Sequence, residues 1–249
     1  MNNAKHSFKL QKESIKALKE VKSAQAKLPV KLATVKGCKD SERELFLVEG
    51  ESAEGTARNA RMTTPYRFQE TLGLRGKIPN AYKTNSTSLM NNKEILAVLA
   101  AIGYDPQSDD PLANLRVGKI ILLSDPVPDG LHINALLLAF FSKILPATLM
   151  RKMVFAVVSP KYVLNDNGIQ YFGMTVKSVK KQLPKKTDPS KMTYLKGWGE
   201  ASAASMRSIA FDPKVRRLIT IKPPKQSQLD YIESLMGFDS QIRKELLGV

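Results

Sequence analysis

The chain has 249 residues, 43% hydrophobic and 25% charged, proportions of a globular protein and not of a disordered or fibrous one. At this length folding buries roughly 70% or more of the unfolded surface, so no disulfide or structural metal is needed, and the single cysteine, Cys38, excludes an internal disulfide and fits a reducing cytoplasm. Lys and Arg number 39 against 23 Asp and Glu, a net charge of +16, which makes a polyanion, most commonly nucleic acid, the default partner.

Residues 1–27 read as a basic amphipathic helix. Lys5, Lys9, Lys12, Lys16, Lys19, Lys22 and Lys27 are opposed only by Glu13 and Glu20, and Phe8, Ile15, Leu18 and Val21 fall near one helical face. Such a helix either packs on the domain or serves as an arm for DNA or a partner subunit, and its lysines leave no apolar centre for a secretory signal. The run Leu45-Phe46-Leu47-Val48 predicts a strand buried on both faces of a parallel sheet, followed by a helix over Ser52 to Arg61. A second element is expected around Leu72 to Ile78, then a loop from Pro79 to Met90 rich in Asn, Ser and Thr. Lys93 to Ile102 predicts a helix stopped by Gly103, and Asp105 to Asp110 a loop. Lys119 to Leu123 reads as a buried strand, Ser124 to Gly130 as a turn and Leu131 to Leu145 as an apolar helix.

The longest apolar stretch, Ile133 to Leu149, contains Asn134, Ser142, Lys143 and Pro146, which argues against a membrane span and a membrane partner. Val154 to Val158 is the next expected strand. Tyr162 to Leu164 and Ile169 to Phe172 flank Asn165 to Gly168, a hairpin signal. Lys185 to Ser190 reads as an exposed loop, Ala201 to Ile209 as helix-like, Leu218 to Ile221 as a strand and Gln226 to Met236 as a helix. Strands alternating with helices predict an α/β fold with a doubly wound, mostly parallel sheet. There is no internal repeat and no Cys/His cluster with zinc spacing; His6 and His132 are far apart.

In open α/β sheets ligands sit outside the carboxyl ends of the strands. Glu49 with Glu51, and Asp125 with Asp129, fall there. Carboxylates converging in a strongly basic chain offer the hard oxygen ligands that Mg²⁺ takes, with water and phosphate in the remaining positions. That points to phosphoryl transfer on a nucleic acid. The alternatives are that Asp129 caps a helix before Gly130 and that Glu51 is solvated.

Leu47-Val48-Glu49-Gly50-Glu51-Ser52-Ala53 resembles the first acidic motif of the TOPRIM region of type IIA topoisomerases. Ser124-Asp125-Pro126-Val127-Pro128-Asp129-Gly130-Leu131-His132-Ile133 is similar to its Asp-x-Asp-x-Asp-Gly motif, including the His-Ile and the apolar helix that follow. Further segments narrow the resemblance to the B subunit of DNA gyrase and topoisomerase IV. Leu28-Pro29-Val30-Lys31-Leu32-Ala33 resembles the start of that region, and Leu74-Arg75-Gly76-Lys77-Ile78-Pro79-Asn80 its Arg-Gly-Lys loop. Tyr194-Leu195-Lys196-Gly197-Trp198-Gly199-Glu200 resembles its late Tyr-Lys-Gly-Leu-Gly-Glu element, and Leu235-Met236-Gly237 its closing Leu-Met-Gly.

The resemblance implies a TOPRIM-type sheet with helices on both faces over residues 28–160 and a small α+β tail over 161–249. It implies the Mg²⁺-dependent cleavage and religation core of a type II DNA topoisomerase. Glu49 would be general acid and metal ligand, Asp125 a catalytic metal ligand, and Asp129 a further ligand. Lys77, also catalytic, and Arg75 would hold DNA near the scissile phosphate, with Lys196, His132 and Arg61 as further DNA contacts. The implied partners are double-stranded DNA, a tyrosine-bearing A-type subunit and a separate ATPase and transducer subunit. A chain starting at Met1 without that ATPase resembles a split-gene subunit, as expected of large viral genomes and acting in the host cytoplasm or nucleoid, or else an excised piece.

The chain departs from the family pattern at Val127, where the family has the second Asp; valine cannot ligate a metal. Pro126 and Pro128 bias Asp125 and Val127 toward extended backbone. Glu54 replaces a small residue near enough to Glu49 to compensate, and Trp198 replaces a leucine. The second expectation is therefore a catalytically impaired DNA-binding or assembly module that keeps the fold.

Overall fold

The computed structural model describes residues 28–248; the basic helix expected over 1–27 lies outside the described residues. A short strand β1 (Leu32–Ala33) precedes β2 (Glu44–Glu49), whose apolar residues alternate between two cores, Leu45 and Leu47 to one side, Phe46 and Val48 to the other. Covering on both faces explains the unbroken apolar run. Helix α1 (Glu51–Met62) buries Ala53, Ala57 and Ala60, small residues that let it lie close on the sheet, and leads to β3 (Gln69–Leu74). Within the expected loop Pro79 to Met90 lies a one-turn helix, α2 (Ser86–Met90), capped by Asn85. Asn92 accepts from the Glu94 and Ile95 N–H groups to start α3 (Lys93–Ile102), and Gly103 at φ 75° ends it.

Strand β4 (Lys119–Leu123) is followed by α4 (Pro128–Ile144), which begins three residues before the expected Leu131. Proline supplies its first residue, where no N–H is needed. Helix α5 (Ala147–Met153) and β5 (Val154–Val157) follow. The hairpin β6 (Tyr162–Asp166) and β7 (Ile169–Gly173) turns at Asn167 and Gly168, both at positive φ, as a two-residue turn requires. Then come α6 (Val176–Lys180), β8 (Thr193–Tyr194), α7 (Ala203–Met206) with a wider turn over Arg207–Phe211, β9 (Leu218–Thr220), α8 (Gln226–Met236) and α9 (Gln241–Leu247).

The main sheet has the order β1-β3-β2-β4-β5-β9. Its four inner strands are parallel and both edges antiparallel. β7-β6-β8 form a second sheet. Helices α3, α4 and α5 pack on one face of the main sheet; α1, α7 and Trp198 cover the other. The fold is thus the expected α/β arrangement, and the tail returns β9 to the main sheet and contributes to one of its two cores. At the amino ends of the strands two buried carboxylates brace the sheet. Glu44 accepts two bonds from Arg216 (2.6 and 2.7 Å) and one from Lys119 (2.9 Å), and Glu70 accepts from Arg43 (2.8 Å) and Arg116 (2.9 Å). Among the described residues no helix is long and apolar enough to cross a membrane.

Candidate active site

From β2 the chain crosses one face of the sheet through α1 to β3; from its neighbour β4 it crosses the opposite face through α4 and α5 to β5. Departures in opposite directions open a crevice between the carboxyl ends of β2 and β4, where open α/β sheets bind ligands. Glu49 is the last residue of β2, and Asp125 stands two residues beyond β4. The two half-buried acids meet: the Asp125 N–H donates to Glu49 Oε2 at 3.2 Å. Burial first, then the charges of Asp125 and Asp129, push the Glu49 carboxyl above its ordinary range; burial and then Glu200 do the same to Asp125.

Three backbone features make room for this pair. Gly50, at φ 80°, turns the chain sharply from β2 into α1. A Cβ on Gly130 would stand 2.7 Å from Glu49 Oε2 and 2.3 Å from the Asp125 carbonyl, and one on Gly197 would stand 2.6 Å from Asp125 Oδ2. The tail also holds Asp125 directly. The Trp198 N–H donates to Asp125 Oδ1 at 2.7 Å, while its fully buried indole N–H donates to Ser124 O (3.0 Å) and Ser159 Oγ (3.1 Å). Trp198, Gly130 and Gly197 were not among the expected site residues. Their only sequence signal is that they lie inside the motifs.

The loop after β3 brings its cations to the same end of the sheet. Lys77 Nζ pairs with Asp129 Oδ1 at 2.9 Å, and Arg75 Nε with Glu51 Oε1 at 2.6 Å; all four side chains are exposed. The Lys77 hydrogen bond and charge hold the Asp129 carboxyl below its ordinary range. Asp129 lies in the first turn of α4, but it is not the cap: Val127 is, extended at φ −111° and ψ 165° as the residue before a proline should be, and without a side-chain cap bond. Lys196 and His132 are exposed.

Two expectations are redirected. Arg61 is not brought to this end, because α1 runs back along the sheet. Its half-buried guanidinium donates to Thr34 O (3.2 Å) and Gln69 O (2.9 Å) near the start of β3, where it braces backbone. Glu54 does not stand in for the missing acid; it accepts from Arg58 (3.0 Å) and Thr71 (3.3 Å) over Gly73.

Among the described residues no group of three or more His, Cys, Asp or Glu is arranged to hold a metal ion. Glu49 and Asp125, two half-buried acids joined through the Asp125 N–H, still fit Mg²⁺, which binds through one or two carboxylates and keeps several waters. Asp129, spent on Lys77, is not a third ligand as placed.

Residues 44–157 match the Toprim domain model. The chain is 36% identical over 197 residues to the B subunit of DNA topoisomerase 4 from Escherichia coli (strain K12), covering 78% of the chain and 31% of that protein. It is 32% identical over 245 residues to the B subunit of DNA topoisomerase 4 from Mycoplasma capricolum, covering 97% and 37%. To the B subunit of DNA gyrase from Archaeoglobus fulgidus it is 32% identical over 221 residues, covering 88% and 34%. The crystal structure of the Plasmodium falciparum topoisomerase II DNA-binding, cleavage and re-ligation domain superposes with a TM-score of 0.69 at 23% identity, over 88% of this chain and 31% of that one; at that identity the likeness is one of fold. The chain spans about a third of the length of the curated relatives it matches.

Proposed function

Residues 44–157 belong to the Toprim domain family and the chain is homologous over most of its length to the B subunits of topoisomerase IV and DNA gyrase, and on that premise we propose that it is the cleavage and religation core of a type II DNA topoisomerase. The observation that carries this reading is the meeting of Glu49 and Asp125 at the crevice between β2 and β4, with Lys77 and Arg75 at its rim.

Glu49 is the general acid. A carboxyl whose proton is held more tightly by burial and by a neighbouring acid is suited to deliver it to a leaving 3′ oxygen. The Trp198 N–H fixes one carboxylate oxygen of Asp125, and the other lies beside Gly197. Bound Mg²⁺, held by Glu49 and Asp125, would neutralise charge on the transferring phosphate. Lys77 and Arg75 exchange their carboxylate partners for backbone phosphates and so position the duplex without reading its sequence; Lys196 adds a contact from the tail, and His132 another from α4. The nucleophilic tyrosine comes from an A-type subunit and ATP turnover from an ATPase and transducer region.

Val127 supports a second reading, a DNA-binding or assembly module with impaired cleavage. Plasmid cleavage and relaxation with Mg²⁺ and the cognate subunits, comparing the native chain with Glu49→Ala, separates the two. Cleavage by the native chain alone supports the enzyme, cleavage by both refutes the role of Glu49, and inactivity of both favours the module.

A further inference from the structure

Outside the crevice a dense charge imbalance among the described residues lies between β7 and β8 of the small sheet. Residues 177–191 carry six lysines, Lys177, Lys180, Lys181, Lys185, Lys186 and Lys191, against one acid, Asp188. All six are exposed, and none joins an ion pair among the described residues. Asp188, whose carboxylate accepts from the Ser190 N–H (2.9 Å) and hydroxyl (2.7 Å), offsets only one of the six charges.

This segment is built in place. Thr175 and Ser178 form a reciprocal capping box at the start of α6, and Val179, fully buried, pins its inner face. Lys177, Lys180 and Lys181, spaced three and four residues apart, therefore share the outer face. Gln182 donates to Phe172 O at 3.0 Å, and Thr187 donates to Asp166 at 2.6 Å, fastening the Lys185-Lys186 turn to the hairpin. The segment then runs through β8 into Leu195, whose N–H donates to Lys161 O at 2.8 Å, and on to the Trp198 N–H that holds Asp125. The lysines and the crevice thus lie along one continuous piece of backbone.

We infer that residues 177–191 form a second phosphate-binding surface, which grips the duplex flanking the cleavage crevice. The run has no aromatic residue, and its one amide, Gln182, is engaged by the Phe172 and Ser178 carbonyls, so its lysines suit backbone phosphates and not base edges. The helix is a single turn whose exposed apolar surface is limited to Val176, with Met174 just before it, too little to insert into a lipid surface, whereas the six lysines suit an anion. The inference rests on duplex DNA being what the crevice holds.

The test is equilibrium binding of a labelled duplex to the full chain across a salt series, by fluorescence anisotropy. Three proteins are compared: native, Lys180→Gln/Lys181→Gln/Lys185→Gln/Lys186→Gln, and Arg75→Gln/Lys77→Gln. The fourfold variant should keep its melting temperature and lose affinity about tenfold or more, with the slope of log K against log salt reduced by about 0.9 for each phosphate contact removed. An unchanged affinity and slope overturns the inference. So does an unchanged duplex affinity with lost binding to phosphatidylserine vesicles or to a poly-glutamate peptide, which would assign the surface to another anion. A normal loss in the fourfold variant with none in the Arg75/Lys77 variant supports this surface and counts against the crevice as the DNA site.

Discussion

Gly130 is the residue on which the crevice is least forgiving. A methyl group there would meet the Asp125 carbonyl at 2.3 Å and N–H at 2.8 Å as well as Glu49, and backbone cannot swing aside as a side-chain tip can. Gly130→Ala should therefore cost cleavage about a hundredfold or more, the scale of an ångström's misplacement of reacting groups, while duplex affinity stays within about twofold. Cleavage at the native rate would contradict the geometry. Val127 makes the complementary prediction. As the uncapped start of α4 it accepts either an uncharged cap, Asn, or a charged one, Asp. Isothermal titration should find Mg²⁺ bound on the order of tenfold more tightly by Val127→Asp, through the added ligand charge, and no more tightly by Val127→Asn.

At the level of elements, the edge strand β9 is held by an ion pair as well as by its ladder. Arg216 and Glu44 are both almost wholly buried, and Lys119 alone would leave Glu44 poorly compensated if Arg216 were lost. Arg216→Ala should cost about 3 to 5 kcal/mol in denaturant unfolding, as when one partner of a buried pair is removed. Burial pushes the Glu44 carboxyl up, but the Arg216 and Lys119 bonds and charges outweigh it and hold the group below its ordinary range. A lowered carboxyl stabilises the fold above its unfolded-state value and loses that contribution as pH falls through the folded one. The native chain should accordingly lose stability toward acid more steeply than Glu44→Gln, measured as melting temperature against pH.

The elements also differ in how legible they were. Helix α3 was expected at its observed bounds from its apolar pattern and the Gly103 stop, and the structure adds Asn92 as its cap. Helix α2 was hidden in a Ser- and Thr-rich stretch only one turn long, and β8, two residues long, exists only through its pairing with β6. The acids were legible because each lies in a contiguous motif. The Trp198 bond to Asp125 spans 73 residues, a separation no local pattern encodes. Arg61 misled for the same reason. About 15 Å of helix carries it from the acid end of the sheet toward the other, and its basic character says nothing of that journey.

For the molecule as a whole, the half-buried acids lower stability: burial and then the Asp125 and Asp129 charges raise the Glu49 carboxyl, and a bound cation would offset them. Mg²⁺ at about ten times its Kd should stabilise the native chain by about 1.4 kcal/mol, an increase that chelation reverses. Glu49→Gln should melt higher than the native chain without Mg²⁺ and gain little when it is added; equal responses from both proteins would remove Glu49 from the site. The tail bears on the same balance. Trp198 fills the core beneath β2 and β4 while its backbone orients Asp125. An exchange of genetic material that joined the first 160 residues of one such protein to the tail of another would have to bring a tryptophan matched to Ser124 and Ser159. A junction near residue 160 therefore parts the indole from the two oxygens it binds, and is a poor place to join two such proteins.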